Sequence, residues 1–219
     1  FAYLESHTVN GLITSDKEGE WCLGDWCPPI QVILPAPFVN NYFYIKSLER
    51  MTEIAGVLHR EEDMSLFSER IRERKEAIMA AYYNPWDGNF LGNMQGANAF
   101  AVDIGLGDER TYKNLVKRYN ELGCYDTGIF GTDIVTRVLF EHGDGEIALK
   151  LMTSEKPHSF GGMRLLGATS IWEYWPEANF ERSHNHPMFG AITAYLFDHI
   201  LGIQQLQDSC GYDKIMIRP

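Results

Sequence analysis

The chain has 219 residues, enough for one large domain or two small ones. Hydrophobic residues at 45% and charged residues at 22%, with 20 Gly and 9 Pro, exclude disorder, collagen and low-complexity sequence. The 19 Lys and Arg against 30 Asp and Glu give a formal charge of −11, a field that repels phosphate backbones and anionic lipid, so no nucleic-acid partner is expected.

The opening Phe1-Ala2-Tyr3-Leu4 lacks an initiator Met, a basic flank and a long apolar run, so it reads as a cut end rather than a signal peptide. Residues 1–37 are rich in Gly, Pro and aromatics, and Gly24-Asp25-Trp26-Cys27-Pro28-Pro29 reads as a loop stiffened by two prolines. From there Phe38, Tyr42, Ile45, Leu48, Met51, Ile54, Ala55 and Leu58 recur at helical spacing and predict a first long helix ending near His59. Asp63 is the expected N-cap of a second, whose face carries Met64, Phe67, Ile71, Ile78 and Tyr82 before Asn84-Pro85 stops it. A third helix is expected over 95–106, and Asp108 caps a fourth that runs to Leu122 and meets Gly123. Thr132 or Asp133 caps a fifth through Glu141, Gly143 ends it, and Asp144 caps a sixth through Met152. The last starts at Pro187 and places Met188, Ile192, Leu196 and Ile200 on one face. Its apolar stretch is broken by Asp198 and His199 and is shorter than the ~20 residues a bilayer requires, so no membrane span is expected. The closing residues 213–219 alternate polar and apolar as a strand with no partner strand, so this end reads as cut too.

Sequential helices joined by short turns predict an all-α fold of antiparallel hairpins. A solenoid would show a repeat of ~34 to 47 residues, which is missing, and a four-helix bundle would need fewer, longer helices. A toroid of helical hairpins remains, with Gly- and aromatic-rich connections over a central cavity. Cys22, Cys27, Cys124 and Cys210 are too scattered for a disulfide framework. Cys22 and Cys27 could pair locally, but buried or inert thiols are the preferred reading, and the compartment stays open. No Cys-x-x-Cys is present to suggest a metal.

Three clusters carry candidate chemistry. In Gly167-Ala168-Thr169-Ser170-Ile171-Trp172-Glu173-Tyr174-Trp175-Pro176, a carboxylate among aromatic rings loses solvation, which raises its pKa toward neutral and suits proton transfer, while the rings suit stacking on a sugar. The alternative is that Glu173 pairs with a base such as Arg182 and the tryptophans are core. In Ser183-His184-Asn185-His186-Pro187, histidines at i and i+2 share no helix face and make no zinc pair. Either Asn185 or Ser183 caps the following helix, or one histidine reaches a substrate hydroxyl. Gly24-Asp25-Trp26, after an acidic loop with Asp16, Glu18 and Glu20, is either a sugar-binding pair or a turn with a packed Trp.

Together these segments resemble the α-L-rhamnosidases, glycoside hydrolases built on an (α/α)6 toroid. The resemblance runs through Gly24-Asp25-Trp26 with Pro28, Thr127-Gly128-Ile129-Phe130-Gly131-Thr132, Gly143, Leu149, Leu151, the whole 167–175 stretch, Ser183, Asn185-His186, Gly190, Gly202-Ile203 and Gly211-Tyr212, in the family's order. It implies hydrolysis of terminal α-L-rhamnosyl groups of glycosides or polysaccharides with inversion, without a cofactor or metal, at the wide mouth of the toroid. It implies further that Glu173 is the general base, that Trp26 stacks on the rhamnose, that Trp175 walls the pocket and that His186 hydrogen-bonds a hydroxyl, with Asp25 a weaker counterpart. Two departures bear on specificity: Tyr174 stands where the family commonly has Arg, and Ser170 where it has a second Thr. The family's acid lies in an Arg-Asp-Glu-Arg type segment upstream, and Arg60-Glu61-Glu62-Asp63 is only a superficial likeness. The expected organisation is therefore the C-terminal portion of an incomplete toroid over 1–203, then a linker and the first strand of a C-terminal β-domain over 204–219. The competing readings are another (α/α)6 glycosidase and a non-catalytic carbohydrate-binding or scaffold piece.

Overall fold

The computed structural model describes residues 1–15, 18–19, 21–176, 182–206 and 209–218, so Asp16 and Glu20 of the acidic loop lie outside the described residues. The chain forms two compact units, Phe1–Trp26 with Val32–Leu115, and Cys27–Gln31 with Val116–Pro219.

The first unit opens with a short helix α1 (Ala2–Glu5) and an antiparallel hairpin of β1 (Thr8–Val9) and β2 (Leu12–Ile13). Asn10 and Gly11 turn it, both at positive φ, the pairing a type I′ turn demands. Gly11 is required twice over, since a Cβ there would lie 2.9 Å from the Cβ of Ala77. Two 22-residue helices follow, α2 (Ala36–Val57) and α3 (Glu61–Tyr82). The first begins two residues before the expected Phe38, because Pro35 takes the N-cap and Pro37 fits the first turn, where no backbone N–H is needed. Its end is near His59 as expected: His59 adopts φ 54° and Arg60 N donates to Ala55 O at 2.8 Å, closing the turn. Asp63 is not the N-cap of α3. Arg60 holds that position, and Asp63 sits in the first turn, its carboxylate 2.5 Å from Arg60 Nε.

Along α2, Phe38, Tyr42, Ile45, Leu48 and Ala55 are buried as their spacing predicts, whereas Ile54 and Leu58 are exposed. Leu48, Ala55 and Tyr44 pack with Ile13 of β2 and Phe67 of α3 into one apolar cluster. Arg74 of α3 is buried against the N-terminal elements, its two Nη atoms engaged while its Nε finds no hydrogen-bond partner among the described residues. It donates to Gly11 O at 2.6 Å, Glu5 Oε2 at 2.5 Å and Thr8 Oγ1 at 3.2 Å, with its guanidinium 5.7 Å from the Tyr44 ring centroid.

A second hairpin, β3 (Tyr83–Asn84) with β4 (Asn89–Phe90), leads to α4 (Ala97–Asp103) and α5 (Glu109–Leu122). Helix α4 is shorter than the expected 95–106. Gly96 is its left-handed N-cap, and Gln95, at φ 45°, spends its side chain accepting Ile33 N at 2.9 Å. The start of α5 is the expected one: Asp108 Oδ1 accepts from Arg110 N and Thr111 N, and Thr111 Oγ1 accepts from Asp108 N.

In the second unit, α6 (Ile129–Glu141) starts earlier than expected, with Gly128 at the N-cap. Thr132 and Asp133 are engaged elsewhere: Thr132 Oγ1 meets Thr127 Oγ1 at 2.9 Å, and Asp133 accepts from Arg137 and from Tyr195 OH. Gly143 at φ 91° ends the turn, and Asp144 takes the N-cap of α7 (Gly145–Thr153). Helix α8 (Phe160–Leu165) is unforeseen by sequence, its N-cap Ser159 accepting from Gly162 N at 3.2 Å. Its glycines are there for space, since Cβ atoms on Gly161 and Gly162 would lie 2.2 Å from Ser154 O and 2.3 Å from Lys156 O.

The helix expected from Pro187 is irregular: a 3₁₀ segment (Met188–Ile192), one α turn, α9 (Thr193–Tyr195), and a π segment (Leu196–Ile200). The buried side chains are Phe189, Ile192 and Tyr195, at a spacing of three, so Met188, Leu196 and Ile200 of the expected face are exposed. The strand-like C-terminal alternation does have a partner: β5 (Ile203–Gln205) pairs antiparallel with β6 (Ile215–Ile217), Gln204 opposite Met216. None of the four cysteines is in a disulfide; they are half-buried except for exposed Cys210, and burial pushes the Cys124 thiol up. No helix among the described residues is long and apolar enough to cross a membrane.

Candidate active site

The segment bearing Glu173 leaves α8 through Gly167 and runs beside residues 183–186. Glu173 N donates to Ser183 O at 3.0 Å, His186 N donates to Ile171 O at 2.8 Å, and Ser170 Oγ donates to His184 O at 2.5 Å. These bonds fix an otherwise irregular stretch of backbone. The side chains that flank Glu173 are buried: Trp172 stacks on the His184 ring with centroids 4.3 Å apart, and Tyr174 OH lies 3.5 Å from His184 Nε2. The Glu173 carboxylate, with 16% of its side chain exposed, receives Arg182 Nη1 at 3.2 Å on Oε1 and Ser183 N at 3.3 Å on Oε2. What the aromatic neighbours withhold in solvation is returned by a cation and a backbone donor. The Arg182 pairing that the sequence leaves open is therefore present, on a carboxylate that keeps some access to solvent.

Trp175 has 0% exposure. Its indole Nε1 donates to Thr127 O at 2.7 Å, and its ring lies parallel to Tyr125 at 5.7 Å, with Phe160 and Phe189 closing the other sides. The ring therefore presents no exposed face among the described residues, and its hydrogen bond ties the end of the Glu173 segment to Thr127. His186 is half-buried, and Met188 N approaches its Nδ1 at 3.5 Å. Neither Ser183 nor Asn185 caps the following helix: Pro187 holds the N-cap, while Ser183 Oγ accepts from Asn185 N and donates to Asn185 O.

Asp25 and Trp26 belong to the first unit. Asp25 is fully buried, and Trp26 is half-buried with Trp21 edge-on at 5.8 Å. Gly24 bends the loop at φ 60°, its N–H donating to Cys22 Sγ at 3.3 Å. Tyr125 is a contributor that residue type alone does not single out; its signal is position, two residues before Thr127.

Burial pushes the phenols of Tyr125 and Tyr195 well above the usual 10.0, the Asp133 carboxylate adding to the effect at Tyr195. Below pH 10 neither state ionises and stability is level. Above it the unfolded chain loses a proton that the folded chain keeps, so stability falls as pH rises, for Tyr125 by about 1.4 kcal/mol per unit. Denaturant midpoints measured through this range are expected to drop, and Tyr125→Phe is expected to flatten the drop.

A family model described as the bacterial alpha-L-rhamnosidase 6 hairpin glycosidase domain matches residues 1–200. An alpha-L-rhamnosidase of Formosa agariphila is 25% identical over 99% of this chain and 24% of its own length. One from an Alteromonas species is 31% identical over 42% of this chain and 11% of its own. Among solved structures, the Streptomyces avermitilis alpha-L-rhamnosidase complexed with L-rhamnose superposes with a TM-score of 0.85 at 24% identity, covering 100% of this chain and 21% of that one. The Dictyoglumus thermophilum enzyme gives 0.85 at 24% identity, covering 100% and 25%. The chain thus spans about a quarter of the length of such relatives. With the match extending over nearly all its helices, the chain belongs to the family of bacterial α-L-rhamnosidase six-hairpin glycosidase domains.

Proposed function

We propose that the enzyme containing this chain hydrolyses terminal α-L-rhamnosyl groups from glycosides with inversion, with Glu173 as the general base. Residues 1–203 then form the C-terminal portion of the six-hairpin toroid, 204–219 begin a β-domain, and the general acid comes from outside this chain. The observation that carries the reading is the Glu173 carboxylate itself: partly exposed, fixed on both oxygens, and set on a segment anchored by a fully buried Trp. A base of that kind takes a proton from water as the water attacks C1, while an acid about 6.5–9.5 Å away protonates the leaving oxygen.

In this reading Trp26 stacks on the apolar face of the sugar, and His186 hydrogen-bonds one hydroxyl. Asp25 is fully buried beside Trp26 in the same loop. Trp175 supports Glu173 from beneath. The bound L-rhamnose of the Streptomyces relative supports the choice of sugar. Proton NMR of a freshly started reaction on an aryl α-L-rhamnoside tests the stereochemistry. The β anomer of rhamnose is expected first, with α appearing only by mutarotation; α rhamnose first would rule out single displacement.

A further inference from the structure

We propose that Arg182 is the positioning residue of the Glu173 carboxylate, an inference that rests on the reading of Glu173 as the base. Tyr174, next to Glu173, offers no cation, and its hydroxyl lies 3.5 Å from His184 Nε2. A charge reaches Glu173 from nine residues along the chain: Arg182 Nη1 lies 3.2 Å from Oε1, while Ser183 N donates to Oε2. One oxygen is thus held by rigid backbone and the other by a side chain that is 40% exposed.

A carboxylate held at a single oxygen still rotates about its last bonds. The second contact narrows the orientations open to the carboxylate. Because the backbone bonds Glu173 N to Ser183 O and His186 N to Ile171 O do not involve the guanidinium, its removal leaves the segment in place. Its exposure also means that truncation opens no cavity. The role is therefore separable from folding.

In the complete enzyme, Arg182→Ala is expected to lower kcat by about 10-fold with KM nearly unchanged, because the lost contact orients the base rather than the sugar; partial exposure keeps the effect at this level. Arg182→Lys is expected to recover part of the loss. Added guanidinium, well below denaturing concentration, is expected to restore Arg182→Ala further, an effect a structural defect would not show. Arg164→Ala, which removes an exposed ion pair with Glu155 in the same unit, serves as the control and is expected to keep wild-type kcat with no response to guanidinium. Wild-type kcat in Arg182→Ala, or a loss that neither Lys nor guanidinium repairs, overturns the inference. Undiminished turnover in Glu173→Gln instead overturns the assignment of the base, so the two failures are told apart.

Discussion

Glu173→Gln in the complete enzyme is expected to lower kcat by about 10²- to 10⁴-fold while rhamnose binding remains measurable. The amide keeps the size of the side chain and can still meet Ser183 N at one oxygen, so the fold and the sugar pocket persist. It cannot accept a proton from water, and its NH₂ faces the Arg182 guanidinium or Ser183 N unfavourably in either orientation. The loss should be expressed in kcat for leaving groups good and poor alike, because water activation occurs on the side of the ring opposite the departing oxygen. Steady-state kinetics on an aryl α-L-rhamnoside and a natural rhamnoside checks this. A variant that keeps wild-type turnover would show that another carboxylate activates the water.

The largest stability effect is expected at Trp175. Replacing it by Ala removes a fully buried ring from contact with Tyr125, Phe160 and Phe189, a change of the kind that costs about 3–5 kcal/mol. It also strands the carbonyl of Thr127, which receives the indole N–H at 2.7 Å. Trp175→Phe keeps most of the packing and loses the hydrogen bond, so its cost is expected near 1–2 kcal/mol, a figure of about the size of one such bond plus a small void. Denaturant unfolding of the complete enzyme, followed by the fluorescence of the remaining tryptophans, orders the variants as wild type, Phe, Ala. Because the ring has no exposed face, Trp175→Phe is expected to raise KM for rhamnosides little. A large KM effect with unchanged stability would restore Trp175 as a wall of the pocket.

The long helices were legible because their signal is repeated many times: α2 and α3 each present several turns of apolar residues, and a single misplaced position such as Ile54 does not disturb the pattern. Their ends were less so. The N-caps at Pro35, Arg60 and Gly128 make no side-chain capping bond, so residue type gives no mark of them. Helix α8 is hidden because Gly161-Gly162 reads as a break, whereas the glycines admit the backbone of residues 154–156 at close range. The stretch from Pro187 has enough apolar residues to satisfy a four-residue spacing on paper while burying those three apart. The hairpin turned by Asn10-Gly11 had its signal in plain view, in a dipeptide that favours two positive φ angles.

At the candidate site, the density of aromatic residues around Glu173 marks the segment, and the family resemblance names the roles. Neither says that all three flanking rings are buried. Trp172, Tyr174 and Trp175 look alike in sequence, and it is the hydrogen bond from Trp175 to Thr127, across 48 positions, together with its ring contacts to Tyr125, Phe160 and Phe189, that sets Trp175 apart. Arg182 and Ser183 are visible as neighbours of the histidine cluster, but their hold on the carboxylate depends on the two backbone bonds that lay residues 183–186 along residues 171–173.

A crystal structure of the complete enzyme with rhamnose bound decides whether Glu173 faces the reacting carbon as the general base. Expected there are a water below C1 within hydrogen-bonding distance of Glu173, Trp26 stacked on the sugar, and an acidic residue from outside this chain about 6.5–9.5 Å from Glu173 on the opposite face of the ring. Glu173 remote from the sugar, or a partner carboxyl at the ~5–5.5 Å separation of a retaining enzyme, would contradict that role.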